Sequence, residues 1–120
     1  MAEKLVIMVT HGPEDAELAT IPFVMAGAAV ASDVEVVMGF QGDGVRLLVP
    51  GAAEKVVVPD FAPLAGLLDS VREFGGKLLV CGPCIKNRDI PAEGLIEGAE
   101  VVAAARFIAE ITSATNSLVY

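Results

Sequence analysis

Cys81-Gly82-Pro83-Cys84 places two thiols three positions apart in a chain that holds two cysteines in all. In a reducing compartment such a close pair serves redox, nucleophilic or metal-binding chemistry more often than structure. The reactive species is the thiolate, which a helix N-terminus favours through its dipole and free N–H groups. Cys81 or Cys84 can occupy that position, because an apolar, β-rich run (Lys77–Val80) precedes the tetrapeptide and a short helix or turn is expected over Ile85–Arg88. Lys86 and Arg88 add positive charge close by. The single histidine, His11, follows another apolar run within Thr10-His11-Gly12-Pro13. Cys81, Cys84 and His11 would supply three zinc ligands, but no second CxxC and no HxxxH completes a tetrahedral set, so no metal is expected. Each residue also has a plainer reading: a cysteine as a small buried apolar side chain, and His11 as a loop residue bonded to backbone.

The elements that must hold these residues are legible as alternating apolar runs and helical patterns. Lys4–Thr10 is continuously apolar and reads as a strand buried on both faces. Glu14, Asp15 and Glu17 suit the first turn of a helix running to about Ser32, with Pro22 predicting a late start or a kink. That helix contains FVMAGAAVA, apolar all round, which marks burial on more than one side. Asp33–Phe40 is expected as the second strand, followed by the loop Gln41-Gly42-Asp43-Gly44 and one or two helical turns over VRLL. Lys55–Val58 reads as a short extended run. Phe61–Phe74 carries Leu64, Leu67 and Leu68 at helical spacing and stops at Gly75-Gly76. Glu100–Ala103 is expected as a strand, Ala104–Ser113 as a helix and Ser117–Tyr120 as a last strand. This alternation predicts an α/β fold, a three-layer α/β/α sandwich around a mostly parallel, about five-stranded, Rossmann-like sheet, formed by a single domain over residues 1–120. In such sheets ligands bind beyond the carboxyl ends of the strands. The loops holding His11, Gln41–Gly44 and the two cysteines all fall there.

Composition narrows the partners. Eight Lys and Arg against 16 Asp and Glu give a net charge of −8, which disfavours nucleic acid and anionic membrane surfaces. The longest apolar run, Ile21–Ala31, is about half of the roughly 20 residues a membrane span needs. No cleavage pattern follows the N-terminal apolar run, so a cytoplasmic protein is expected. A nucleotide cofactor is not expected either: GxGxxG does not follow the first strand, Asp43 opposes an anion in the Gly42–Gly44 loop, and Glu14 and Asp15 occupy the helix start a phosphate would use. Hydrophobic residues make up 54% of the chain but aromatic ones only 5%. So much aliphatic surface in 120 residues predicts that subunits cover one another. Glu93, Glu97 and Glu100 read as solvated surface.

THGPED before an apolar helix, GFQGDGVRLL, CGPCIKNRDI after an apolar strand and LIEGAEVVAAA together resemble the DsrE/DsrF-like family, over nearly the whole chain. The resemblance implies a Rossmann-like sandwich and a homo-oligomer, often a trimer or hexamer. In sulfur-relay members, including the TusD-like proteins, a cysteine after this strand carries a persulfide. Counting back from the family's Arg-Gly-Ile ending places it on Cys81. Here the ending is Arg88-Asp89-Ile90, and the second cysteine, Cys84, belongs only to some branches. The leading expectation is a sulfur carrier, or sulfurtransferase, with Cys81 and Cys84 as its thiols. His11, Gly12, Lys86 and Arg88 are expected as binding residues, and a sulfur donor or acceptor protein as partner. Two alternatives stay open. One is a thiol–disulfide oxidoreductase, since CGPC is also the thioredoxin tetrapeptide, although Val80 replaces the aromatic residue that precedes it there. The other is a non-enzymatic oligomeric binding or redox-sensing module.

Overall fold

Strands that are apolar along their whole length cannot leave a face in water, and the chain meets that demand with helices on both sides of one sheet. The computed structural model describes residues 3–120. In chain order the regular elements are β1 (Lys4–Val9), α1 (Ala16–Ala31), β2 (Glu35–Phe40), α2 (Leu64–Glu73), β3 (Lys77–Cys81), α3 (Gly82–Asn87), β4 (Ala99–Val102), α4 (Ala104–Thr112) and β5 (Asn116–Val119). Short 3-10 turns cover Gly42–Leu48, Ala53–Lys55 and Ala92–Gly94. The strand order is β4-β3-β2-β1-β5, and every neighbouring pair is parallel, so the sheet is parallel throughout and not merely for the most part.

Alternate side chains feed two cores. Ile7 and Val9, Val36, Met38 and Phe40, and Leu78 and Val80 meet Phe23 of α1 and Leu64, Leu68 and Val71 of α2. The Phe23 and Phe40 rings lie 5.9 Å apart, centroid to centroid. On the other face Val6, Met8, Val37 and Leu79 close around Phe107 of α4.

Several boundaries differ from those the sequence suggests, each for a local reason. Asp15, not Glu14, caps α1: its Oδ1 accepts the Leu18 N–H at 3.2 Å, while Glu14 Oε1 accepts the Gly12 N–H at 2.7 Å. The helix begins six residues before Pro22 and continues through it, so the proline does not delay the start. Its apolar surface is divided: Phe23, Ala26 and Ala29 are buried, whereas Val24 and Met25 are 36% and 41% exposed. Asp33, expected to open the second strand, instead turns the chain at φ 60°, and β2 starts at Glu35. Pro63, with extended backbone, delays α2 to Leu64. That helix closes with Gly75 N–H to the Arg72 carbonyl and Gly76 N–H to the Val71 carbonyl, the paired bonds of a Schellman cap. Of the extended run expected over Lys55–Val58, Lys55 instead ends a 3-10 turn, Val56 is extended, and Val56–Val58 lie outside the sheet. Among the described residues no helix is long and apolar enough to cross a membrane.

One charged network holds α4 down: Arg106 and Glu110 pair at helical spacing, but the contacts to Lys4 and Glu100 have no signature in the local sequence pattern. Lys4 Nζ donates to Glu110 Oε1 at 2.6 Å, and Arg106 donates to Glu110 Oε2 and to Glu100 Oε2, both at 2.8 Å. Glu110 is 8% exposed and joins α4 to the start of β1, while Arg106 joins it to β4. Lys4 first, then Arg106, hold the Glu110 carboxyl below the usual carboxylate range. A depressed folded-state value means that this stabilisation is complete above the ordinary carboxylate pKa of about 4.3 and is lost as pH falls through the folded value. Glu110→Gln is therefore expected to lower unfolding free energy by about 1–3 kcal/mol at neutral pH, measured by urea denaturation. The gap to the parent protein should close as pH falls through the acid range in which the folded-state carboxyl takes up its proton. An equal loss at neutral pH and below that range would show that the charge of Glu110 is not what matters.

Candidate functional site

Because all five strands run the same way, their carboxyl ends share one edge. The loops after β1 (Thr10–Pro13), β2 (Gln41–Gly44) and β3 (Cys81–Cys84) meet the solvent there. They interlock through backbone. Gln41 N–H donates to the Val9 carbonyl at 3.0 Å. A Cβ on Gly44 would stand 2.2 Å from the Val9 oxygen, and one on Gly12 would stand 2.1 Å from the Asp43 oxygen. No side chain fits at either position, so Gly12 serves the close approach of two loops.

Cys81 is both the last residue of β3 and the N-cap of α3, and Pro83 starts the helix where a missing N–H costs nothing. Both cysteines are free and partly exposed. Cys81 packs against both cores, Cys84 against the α1/α2 core only. The Gly42 N–H donates to Cys84 Sγ at 3.3 Å. Arg88 Nε donates to Asp43 Oδ1 at 3.0 Å and its Nη1 to the Cys84 carbonyl at 3.2 Å. Arg46 Nε reaches the same Asp43 oxygen at 3.3 Å. Arg88 and then Arg46 hold the Asp43 carboxyl below its usual range. Asp43 thereby ties the loop that presents the Gly42 N–H to the helix that presents Cys84.

The geometry sorts the candidate residues. Cys81, Cys84, Arg88 and the Gln41–Gly44 loop form one contacting group. Arg88 is directed to Asp43 and to backbone, and Lys86 is exposed on α3. His11 shares the edge but follows β1, two strands from β3, a separation of roughly 10 Å at ordinary strand spacing. Its Nδ1 lies 3.3 Å from Thr10 Oγ1. Among the described residues no three His, Cys, Asp or Glu side chains come together as a metal site would require. Sequence reasoning missed two members, the Gly42 N–H and Asp43. The available signal was an acid in one edge loop with an arginine just beyond another.

The thiols depart from the expected electrostatics. Burial first, and then the neighbouring Cys84 thiol, push the Cys81 thiol up, against the opposing effects of the Cys84 N–H and the Arg88 charge. Helix α3 spans only six residues, so its dipole does not outweigh desolvation at its N-cap. Peptide-resolved alkylation should therefore find Cys81 modified slowly at neutral pH, with a midpoint above the free-thiol value of about 8.5. A midpoint below that value would show the dipole to dominate.

Asp89 stands where the resembling family has glycine. Its φ of 55° is left-handed, at the position after the α3 cap, with Asp89 N–H on the Lys86 carbonyl and Ile90 N–H on the Ile85 carbonyl. Glycine suits that conformation and aspartate tolerates it, so the substitution preserves the turn.

Known proteins provide an independent comparison. The sequence profile of the DsrE/DsrF-like family matches residues 3–120. Uncharacterized protein MJ0989 of Methanocaldococcus jannaschii is 30% identical over 118 residues, 98% of this chain and 99% of its own length. Uncharacterized protein MJ0760 of the same organism is 30% identical over 106 residues, 88% of this chain but only 38% of that larger relative. The crystal structure of the ychN protein from E. coli superposes with a TM-score of 0.83 at 19% identity, covering 98% of this chain and 99% of that one. The structure of MTH1491, a protein of unknown function from Methanobacterium thermoautotrophicum, gives 0.77 at 13% identity with the same coverage. These structures carry the fold. Together with the match that runs from residue 3 to the last residue, they lead to one assignment: the chain belongs to the DsrE/DsrF-like family.

Proposed function

We propose that the chain is a sulfur carrier of the relay type, holding a persulfide on Cys81, with Cys84 as its working partner and residues 1–120 acting as one unit. The observation that carries this reading is two free thiols at the carboxyl end of β3, with a backbone N–H aimed at the sulfur of Cys84. A persulfide forms when a thiolate attacks the outer sulfur of a donor persulfide and the donor leaves as its thiolate; fixed N–H donors favour the charged sulfur species. The raised Cys81 thiol suits storage, because a sulfur bound to a poor leaving group is retained. Family membership supports the relay role, with a cytoplasmic donor or acceptor protein as the partner class. Incubation with a small-molecule persulfide should add the mass of one sulfur atom to the intact protein, removable by a thiol reductant. The Cys81→Ser variant should hold no lasting sulfur. Uptake by a protein lacking both cysteines would sink the reading.

A thiol–disulfide oxidoreductase is the second reading, favoured by the contact through which Cys84 raises Cys81. Reduction of insulin at a rate comparable to sulfur uptake would move the assignment to it.

The carrier is also proposed to self-associate. Val24 and Met25 on α1, Ile108 on α4 and Val119 on β5 leave apolar area exposed, and shared burial yields roughly 25 cal/mol per Å². Light scattering at micromolar concentration should give a multiple of the monomer mass, trimer or hexamer by family likeness. Met25→Glu is expected to weaken that assembly if α1 forms the contact, and a clean monomer of the parent protein would exclude it.

A further inference from the structure

Cys81 and Cys84 are not equivalent, and their difference has a direction. Cys84 sits in the first turn of α3, facing the loop after β2, where the Gly42 N–H meets its sulfur at 3.3 Å. Two contacts fix that arrangement, Arg88 on the Cys84 carbonyl and Arg88 on Asp43, the residue that follows Gly42 in the loop. Cys81 lies at the strand end, against the apolar side chains of both cores. At Cys81 the Arg88 charge works against burial and does not overcome it, while at Cys84 the Gly42 N–H meets the sulfur, so the N–H dipole and the desolvation set the direction.

We propose that sulfur enters this protein at Cys84 and passes inward to Cys81, an intramolecular relay across the CGPC turn. This rests on the carrier reading above. In the first step the Cys84 thiolate attacks the outer sulfur of a donor persulfide, R–S–SH. The donor sulfur–sulfur bond breaks, its electron pair leaves with R–S⁻, and Cys84 becomes the persulfide. In the second step the Cys81 sulfur attacks the same terminal sulfur. The bond from that sulfur to Cys84 breaks, the electron pair returns to Cys84, and the proton of Cys81 passes to the Cys84 thiolate so released. One sulfane sulfur and two thiols are present throughout, so neither an oxidant nor a reductant is consumed. The Gly42 N–H assists both steps, since it faces the sulfur that is anionic before the first and after the second. The transfer runs inward because the sulfane sulfur settles on the thiol that is the poorer leaving group, and burial makes that Cys81.

The test is a time course with glutathione persulfide, quenched by an alkylating agent, with fragmentation of the peptide that carries both cysteines. The parent protein should show the added sulfur first on Cys84 and later on Cys81. Cys84→Ser should load Cys81 more slowly than the parent protein loads Cys84, because the burial that pushes the Cys81 thiol up leaves less of it as the thiolate. Cys81→Ser should load Cys84 at the parent's initial rate but lose the sulfur faster to a thiol reductant. Loading of Cys84→Ser at the parent rate, or sulfur found on Cys81 from the earliest time, overturns the relay while leaving the carrier reading in place. Absence of sulfur from both thiols of the parent protein overturns the two together. The time course on the parent protein needs no substitution, so a variant that folds poorly does not remove the test.

Discussion

Parallel pairing of strands buried on both faces is the constraint from which the remainder of this molecule follows. Parallel neighbours need a crossover between them, and crossovers supply the helices that cover the two faces. Here α1 and α2 cover one face and α4 the other. The same pairing sends every strand's carboxyl end to one edge, so polar and reactive side chains with no place inside the sheet collect there. Strands β1, β2 and β3 are adjacent in the order β3-β2-β1, which sets the loops that follow them side by side, with Gln41–Gly44 in the middle. That middle loop touches both neighbours: Gly12 on one side, Cys84 and Arg88 on the other.

The site belongs to a protein with few cations, and how they are used matters more than how many there are. Lys4 and Arg106 clamp Glu110 beneath α4, and Arg88 clasps Asp43. The Arg88 charge favours the Cys81 thiolate but does not prevail. Burial and the neighbouring Cys84 thiol outweigh it there, and these effects are short-range and geometric. Such a site discriminates between two chemically identical side chains three residues apart. A field from distant charges would act on both almost equally.

Membership of the DsrE/DsrF-like family places the chain among proteins with the same sandwich, and its departures from the family pattern are local. Asp89 keeps the left-handed turn that glycine would otherwise provide, so α3 still ends where Ile90 can bond back to Ile85. The second cysteine adds a sulfur on α3 that accepts the Gly42 N–H from the loop after β2. The CGPC tetrapeptide thus spans a strand end and a helix start, with the first cysteine packed against both cores and the second against one.

The sequence by itself determined the class of fold and the edge on which chemistry would sit. Continuous apolar runs such as Lys4–Thr10 and Lys77–Val80 demand burial on both faces, and that demand is written residue by residue. The loops holding His11, Gly42 and Cys81 could be assigned to one edge on the same ground. Tertiary structure alone decided what those loops do to one another. Local pattern cannot show that Arg88 turns to Asp43, 45 positions earlier. Nor can it show that Glu110 meets Lys4, 106 positions away, because these contacts depend on strand order and register. A helix N-terminus beside the thiols is visible in sequence, whereas the desolvation that opposes it at Cys81 exists only once two cores close around the strand end.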